Sequence, residues 1–171
     1  MKASKVSGRE VALVKVVFVC TGNICRSPTA EAVFRHMVRE AGLAKRIGVD
    51  SAGTHDFHIG EPPDPRSQQH AARRGYDLSD QRARQIAAAD FAEFDLLLAM
   101  DRGHLRLLQR AAPAHSRERI RLFMEFAPSF KLADVPDPYY GAAGGFEAVL
   151  DMIEEGSRNL LETIVRERFG S

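Results

Sequence analysis

The sequence predicts an α/β fold: a single domain with a doubly wound sheet of about four parallel strands and helices on both faces. Apolar runs such as 14–20 and 95–100 have the continuous hydrophobic character of strands that are buried on both faces. Segments with helical spacing separate these runs, and strands that alternate with helices form parallel sheets. The length of 171 residues fits one domain with a substantial core.

The first strand is expected at residues 14–20, followed by a curled loop and a helix. Ser27 is the expected N-cap of that helix, Pro28 its first residue and Gly42 its C-terminal stop. Apolar side chains at helical spacing give the helix one buried stripe, which consists of Ala30, Val33, Phe34, Met37 and Ala41.

The next segment predicts a short strand at residues 47–51 and a surface loop over residues 51–60. Asp64 and Pro65 then repeat the pattern of an N-cap followed by a first-turn proline. Gly75 closes the helix that they begin.

The second half of the chain predicts two more strands, at residues 95–100 and 120–123, and Asp101 is placed to cap the helix between them. Residues 134–141 are expected to be irregular because each proline disfavours a helical predecessor. Apolar residues at helical spacing from 146 to 165 predict a long C-terminal helix.

Composition limits the function classes. A formal charge of +1 gives no electrostatic reason to expect nucleic acid or an anionic membrane as a partner. The two cysteines lie five residues apart and cannot staple a fold, so an intracellular, reducing compartment is expected. Residues 1–12 predict a flexible extension before a domain at 13–168, without a signal peptide or membrane span. A cytoplasmic location follows, and secretion without a signal peptide stays open.

The segment between the first strand and the first helix has the pattern of an anion-binding loop. Gly22 and Asn23 tolerate the curled backbone that turns successive N–H groups toward one point. Cys20 begins the loop, and Arg26 follows six residues later. The backbone donors, the helix dipole and the guanidinium would stabilise the Cys20 thiolate and would then hold the oxygens of a phosphate.

The segment Cys20-Thr-Gly-Asn-Ile-Cys-Arg-Ser-Pro-Thr-Ala-Glu31 resembles the signature loop of the low-molecular-weight protein tyrosine phosphatases. Further matches follow in order, and the resemblance spans roughly residues 14 to 165. They are Asp50-Ser-Ala-Gly-Thr54, Pro63-Asp-Pro-Arg66, Ala83-Arg-Gln85, Leu98-Ala-Met-Asp101 and Asp137-Pro-Tyr-Tyr-Gly141.

This resemblance implies hydrolysis of phosphotyrosine in proteins, and of small aryl phosphates, through a phosphocysteine intermediate on Cys20. Arg26 would bind the phosphate, and Asp137 would act as general acid and then as general base. No metal or other cofactor is implied because the loop itself stabilises the phosphoryl charge. The loop N–H groups and side chains that complete or support the phosphate site are those of Thr21, Gly22, Asn23, Ile24, Cys25 and Ser27.

Three aromatic residues are expected to line the substrate cleft: Phe57, Tyr139 and Tyr140. The implied partner is a phosphotyrosine-containing protein, a tyrosine kinase being one class of candidate. A monomer or a weak dimer is expected. The physiological substrate does not follow from the sequence.

Two positions leave alternatives open. Many members of the family have a histidine where this chain has Gln81, and the amide of Gln81 is expected to brace Asn23 and Ser27 in its place. Cys25 is either a resolving thiol that forms a reversible disulfide with Cys20 or a small side chain that fills space behind the loop.

Two other function classes fit a loop of this kind. Arsenate reduction needs further thiols to carry oxidation away from the nucleophile, and no cysteine follows Cys25. A binding module without catalysis would not require Cys20, Arg26 and Asp137 together. The pair His55 and His58 lacks a third ligand at a supporting spacing, so no metal site is expected there.

Overall fold

The computed structural model describes residues 13–140 and 144–170, so the predicted extension 1–12 lies outside the described residues. The strands are β1 Val14–Cys20, β2 Ile47–Gly53, β3 Leu96–Ala99 and β4 Ile120–Leu122. The helices are α1 Arg26–Glu40, α2 Pro65–Ala72, α3 Asp90–Glu93, α4 Arg102–Ala111 and α5 Gly144–Arg168.

The four strands form one sheet in the order β2–β1–β3–β4, and every neighbouring pair is parallel. β1 lies in the interior of the sheet. β2 lies on one side of β1 and forms an edge, whereas β3 and β4 lie on the other side. This reversal creates a switch point at the carboxyl end of β1, where α/β proteins place their ligands. The predicted fold class is confirmed.

Alternate residues of β1 enter two apolar layers on opposite faces of the sheet. Val16 and Phe18 pack in the layer that includes α1 and α5, and Val17 and Val19 pack in the layer that includes α3 and α4. These β1 side chains are fully buried, which explains the continuous apolar run in the sequence.

The helix α1 begins two residues earlier than expected, and its N-cap prediction is wrong. Arg26 is the first helical residue, and the N-cap position is held by Cys25 without a side-chain hydrogen bond. Ser27 and Pro28 are therefore the second and third helical residues. The Ser27 hydroxyl serves the loop instead, as described below. The stop at Gly42 is confirmed by its φ of 74°.

Elsewhere the predicted elements are present, with differences in bounds and in kind. β3 and β4 are shorter than the predicted strands at 95–100 and 120–123, and Phe123 begins a 3-10 turn. β2 continues two residues past Ser51, because Ala52 and Gly53 stay paired with the end of β1. The segment 134–141 contains a 3-10 turn at Pro138–Tyr140, so the expectation of wholly irregular structure is wrong there, and Gly141 lies outside the described residues. Three further 3-10 turns and the short α3 were not predicted; the turns are Ala114–Arg119, Phe123–Phe126 and Pro128–Phe130.

Candidate active site

Cys20 is the last residue of β1, and the loop that follows leads directly into α1. Asn23 has a φ of 60°, a left-handed conformation that asparagine adopts more readily than most residues. Among the described residues, the backbone N–H groups of residues 21–26 have no hydrogen-bond acceptor. The loop therefore offers unpaired donors at the N-terminus of a helix, an arrangement that favours anion binding.

The Cys20 sulfur is in contact with Ser27. The Ser27 Oγ lies 3.0 Å from the Cys20 Sγ, and the Ser27 backbone N–H donates to the same sulfur at 3.4 Å. The side-chain amide of Asn23 donates to the Ser27 Oγ at 2.8 Å, which holds the hydroxyl beside the sulfur. A hydroxyl in this position can donate to a thiolate and stabilise its charge.

Asn23 is braced from both ends of its amide. Its Nδ2 also donates to the Ser51 Oγ at 3.0 Å, and its Oδ1 accepts from the Arg84 backbone N–H at 3.0 Å. The Ser51 hydroxyl donates to Glu31 at 2.7 Å. Burial raises the pKa of Glu31 above its usual range in spite of the hydrogen bonds from Ser51 and Arg35. Buried polar groups that satisfy one another in this way hold the loop in one shape.

Gln81 does not contact Asn23 or Ser27 directly, so that prediction is wrong in its detail. The Gln81 Nε2 donates to the Pro28 carbonyl at 2.9 Å, and its Oε1 lies 3.4 Å from the Ser51 Oγ. The Gln81 amide is therefore linked to Asn23 through the Ser51 hydroxyl, to which Asn23 also donates.

Arg26 is 4% exposed. Its Nη1 donates to the Asp101 Oδ2 at 2.9 Å and to the Val135 carbonyl at 3.0 Å. Its Nη2 lies 3.6 Å from the Asp137 Oδ2. Because Asp101 and Val135 hold Nη1, the remaining nitrogens Nε and Nη2 are available for a bidentate pair with a phosphate.

Asp101 and His104 were not predicted as site residues, although Asp101 was expected to cap α4 and does so by accepting from the His104 N–H. The His104 Nε2 lies 2.8 Å from the Thr21 Oγ1, and its Nδ1 lies 3.1 Å from the Asp101 Oδ1 without hydrogen-bond geometry. Burial lowers the pKa of His104 to about 4, with Asp101 opposing the shift. The sequence feature that could have indicated these two site residues is the Asp-x2-His pattern of Asp101 and His104, which directly follows a buried strand.

The pKa of Asp101 is also shifted in this cluster. Burial alone would raise the pKa of Asp101, but the His104 backbone N–H, the neighbouring imidazole and the Arg26 guanidinium outweigh burial and lower it. The carboxylate of Asp101 is therefore ionised beside Arg26. Contacts from Thr21 to His104, from His104 to Asp101 and from Asp101 to Arg26 thus link the residue after β1 to the first residue of α1.

Asp137 is held at the mouth of the site by its own turn. Its Oδ1 accepts from the Tyr139 backbone N–H at 3.0 Å, and 40% of its side chain is exposed. The Tyr139 carbonyl accepts from Arg66 at 3.0 Å. Arg66 is in turn paired with Asp64, the N-cap of α2. The start of α2 therefore anchors the segment that carries Asp137.

Cys20, Arg26 and Asp137 line one cleft of about 170 Å³. Among the residues expected to support the loop or to form its walls, Thr21, Gly22, Ile24, Cys25, Phe57 and Tyr139 also line this cleft. The side chain of Tyr140 lies outside the described residues. Asn23 and Ser27 do not line the cleft, and their side chains are hydrogen-bonded to each other.

His58 is a wall residue that the sequence did not single out for this role. It lines the cleft and packs so closely on the loop that a Cβ at Gly22 would lie 2.7 Å from the His58 Cδ2. Its Nδ1 lies 3.0 Å from Glu61. Among the described residues, no group of three or more histidine, cysteine, aspartate or glutamate side chains could hold a metal ion.

Cys25 is buried behind the loop, and burial raises the pKa of its thiol to about 12, a hydrogen bond with Ser67 offsetting the shift only in part. Both cysteines are free thiols. Ile24, Cys25, Ala83 and Phe146 form a small apolar cluster against which Tyr139 packs.

The fold and the site together define a doubly wound α/β protein with a Cys-x5-Arg loop at the carboxyl end of its first strand. The sequence model of the family described as "Low molecular weight phosphotyrosine protein phosphatase" matches residues 15–169. The chain therefore belongs to this family, whose members are named as protein-tyrosine-phosphatases and are hydrolases.

Individual relatives match over nearly their whole length. The chain is 48% identical over 153 residues to the low molecular weight protein-tyrosine-phosphatase of Streptomyces coelicolor, covering 88% of this chain and 93% of the relative. It is 43% identical over 155 residues to the human low molecular weight phosphotyrosine protein phosphatase, covering 90% and 97%. The crystal structure of YfkJ from Bacillus subtilis is similar with a TM-score of 0.88 at 40% identity, covering 94% and 99%.

Within residues 13–140 and 144–170, no helix is both long and apolar enough to cross a membrane.

Proposed function

We propose that this protein hydrolyses phosphotyrosine in proteins, and small aryl phosphates, through a phosphocysteine intermediate on Cys20. The observation that carries the proposal is the shared cleft, in which a cysteine, a buried guanidinium and a carboxyl group lie together beside unpaired loop N–H groups. Phosphoryl transfer depends on positioning and on charge stabilisation, and these groups supply both.

In the first step, the phosphate monoester binds to the N–H groups of residues 21–26 and to the Nε and Nη2 of Arg26. The Cys20 thiolate attacks phosphorus, so that an S–P bond forms and the P–O bond to the leaving group breaks. Asp137, in its carboxylic acid form, donates its proton to the leaving oxygen. The Ser27 hydroxyl at 3.0 Å supports the thiolate before attack.

In the second step, the Asp137 carboxylate accepts a proton from a water molecule as the water attacks phosphorus. The S–P bond breaks, inorganic phosphate is released, and Cys20 leaves as a thiolate while Asp137 regains its proton. The reaction thus needs one nucleophile, one acid–base group and water, and each protein group returns to its starting state.

The walls of the cleft favour an aryl ester as substrate. Cys20 is 3% exposed and Arg26 is 4% exposed, so a substrate must carry its phosphate down to the base of the cleft. A phosphotyrosine ring has the reach, and Phe57 and Tyr139 offer it aromatic contact. A phosphoserine side chain is shorter and would leave these walls without a partner.

The proposed partner is a phosphotyrosine-containing protein, an autophosphorylated tyrosine kinase being one class, and the protein acts as a monomer or weak dimer. The proposed compartment is the cytoplasm, since free cysteines persist in reducing compartments. Residues 13–168 are proposed as the catalytic domain.

We also propose that Cys25 protects Cys20 during oxidation. Peroxide would oxidise the Cys20 thiolate to a sulfenic acid, and the Cys25 thiol would condense with it, releasing water and forming a disulfide that an external dithiol reduces. Both cysteines line the same cleft, and both are free thiols.

The function is tested by hydrolysis of para-nitrophenyl phosphate and of a phosphotyrosine peptide, in reductant and EDTA. Cys20→Ser should lose essentially all turnover, and Asp137→Asn should lose about 10²- to 10⁴-fold in kcat. The control is Asp134→Asn, which neutralises another aspartate of the same segment. Its kcat should stay within about twofold of the wild-type value. A wild-type protein that is inert, or that EDTA inactivates, would refute the proposal.

A further inference from the structure

A second groove, with a volume of about 380 Å³, opens beside the catalytic cleft. One side is formed by α4, and the other by Thr21 and His55. Thr21 lines both the groove and the cleft, so the groove begins at the rim of the phosphate-binding loop. A chain that extends from a phosphotyrosine in the cleft past Thr21 would therefore meet this groove.

The groove carries positive charge that the protein leaves unpaired. Arg106 and Arg110 both line it, and their spacing of four residues places them on the same face of α4. Both are exposed, and in residues 13–140 and 144–170 neither has a partner for an ion pair or a hydrogen bond. The acidic residue in the groove, Asp101, is already paired with Arg26.

Neighbouring arginines show the contrast. Arg102, one turn earlier on α4, is paired with Asp134 at 3.1 Å. Arg121 on the following strand is paired with Glu125 at 2.8 Å. Arg106 and Arg110 thus differ from these two arginines, because neither has an ion-pair partner among the residues that the structure describes.

Apolar surface accompanies the charge. Leu107, which lies between the two arginines in the sequence, is 39% exposed and lines the groove. Phe57, at the cleft, is 63% exposed and stacks on His55 with a ring separation of 4.9 Å. Exposed apolar side chains next to unpaired cations are typical of a surface that binds another chain.

On these grounds, we infer that the groove binds the substrate segment next to the phosphotyrosine and selects acidic side chains there. This inference rests on the proposed function. The two arginines are about 6 Å apart along the helix axis, at ~1.5 Å per residue. Alternate side chains of an extended peptide lie on one side at a spacing of ~6.6 Å. Two carboxylates at alternate positions of an extended substrate thus match Arg106 and Arg110, while its apolar side chains contact Leu107.

The size of the effect follows from the exposure of the arginines. Ion pairs at an exposed surface are weak and are screened by salt. Loss of two such ion pairs should lower kcat/KM for an acidic peptide by about three- to tenfold. In roughly 0.5 M salt, most of this difference between the wild type and the variant should disappear. Para-nitrophenyl phosphate has no flanking residues, so its turnover should not depend on the groove.

The experiment compares kcat/KM for para-nitrophenyl phosphate and for phosphotyrosine peptides of one length. The first peptide set has aspartates at alternate positions on either side of the phosphotyrosine. The second set has asparagines at the same positions, and the third has a second phosphotyrosine there. The variant is the double substitution Arg106→Gln and Arg110→Gln. The control is Arg158→Gln with Arg166→Gln, which changes the net charge equally on α5, a helix that packs on the other face of the sheet.

The wild type should have a higher kcat/KM for an aspartate peptide than for the matching asparagine peptide. In the groove variant, kcat/KM for the aspartate peptide should fall about three- to tenfold, while kcat/KM for the other peptides and for para-nitrophenyl phosphate should not change. The control variant should behave like the wild type. The inference would be overturned if the groove variant lost kcat/KM equally on all peptides or lost none. It would also be overturned if the control variant lost the same preference. The proposed function would stand in each of these cases. Loss on the doubly phosphorylated peptide alone would overturn the assignment to carboxylates. Turnover of para-nitrophenyl phosphate but of no peptide would overturn both.

Discussion

Arg26 and Asp101 form a 2.9 Å ion pair that joins the first residue of α1 to the N-cap of α4. The two helices pack on opposite faces of the sheet, so the pair crosses the carboxyl edge where the phosphate loop lies. The Asp101 carboxylate both caps α4 and binds Nη1 of the buried guanidinium, so that Nε and Nη2 are not used in this pair. The position of the proposed phosphate-binding arginine therefore depends on a residue from a distant part of the chain.

The first prediction separates these two tasks of Asp101. Asp101→Asn keeps an N-cap oxygen for the His104 N–H but removes the negative charge beside Arg26. We expect kcat/KM for para-nitrophenyl phosphate to fall roughly tenfold or more, because a buried charge loses its partner and its fixed geometry. Steady-state kinetics measures this loss. Asp134→Asn, which breaks the exposed pair with Arg102, should have little effect. Turnover of Asp101→Asn within twofold of wild type would show that the pair is not needed.

The second prediction concerns Asn23, whose amide braces Ser27 and whose φ is 60°. Asn23→Gly retains the backbone conformation and loses the amide, whereas Asn23→Ala also adds about 1 kcal/mol of backbone strain. Both should lower kcat, and Asn23→Ala should have the lower Tm. Lys131→Gly is the control, since Lys131 has a φ of 56° away from the site; its kcat should be unchanged. Wild-type kcat in Asn23→Gly would contradict the bracing role.

Much of this architecture could be predicted from the sequence. Continuous apolar runs identified the buried strands, and the Cys-x5-Arg spacing after β1 identified the loop that the structure places at the switch point. The Ser27-Pro28 pair illustrates a limit. Its local chemistry fits an N-cap, but the Ser27 hydroxyl is instead used by Asn23 and Cys20. A tertiary network outweighed a local preference.

Contacts between distant segments were the part that could not be predicted. His104 touches Thr21 across 83 positions of the chain, and no periodicity or spacing encodes that contact. The 3-10 turns were missed for another reason, since segments of three to six residues carry too little hydrophobic periodicity to be recognised. Gln81 was placed in the right neighbourhood, but which atoms it reaches depends on the exact path of the backbone.

The third prediction uses the low pKa of His104, which burial places at about 4. In the unfolded chain the imidazole has a pKa of about 6.5, so below that pH the unfolded state binds more protons and the native state loses stability. The loss should begin near pH 6.5, grow as the pH falls toward 4 and approach about 3 kcal/mol below it. Urea unfolding at several pH values, compared between wild type and His104→Asn, measures this contribution. An equal pH dependence in both proteins would contradict a buried neutral imidazole.

The fourth prediction concerns Cys25 and oxidation. After a brief exposure to hydrogen peroxide, wild-type activity should be lost and should return with dithiothreitol, because the Cys20–Cys25 disulfide shields Cys20 from further oxidation. In Cys25→Ser the unprotected sulfenic acid is open to further oxidation to the sulfinic acid, so a larger fraction of the lost activity should fail to return with dithiothreitol. Activity measured before and after reduction makes the comparison. Equal recovery in the two proteins would leave Cys25 with a packing role only.

The central claim, a phosphocysteine on Cys20, can be measured directly. The protein is mixed with a large excess of para-nitrophenyl phosphate, quenched in acid within milliseconds, digested and mapped by mass spectrometry. We expect one phosphoryl group on the peptide that contains Cys20, with fragment ions that place it on Cys20 rather than on Cys25, and none in Cys20→Ser. Turnover at the normal rate with an unmodified Cys20 peptide, or with the phosphoryl group on another residue, would contradict the mechanism.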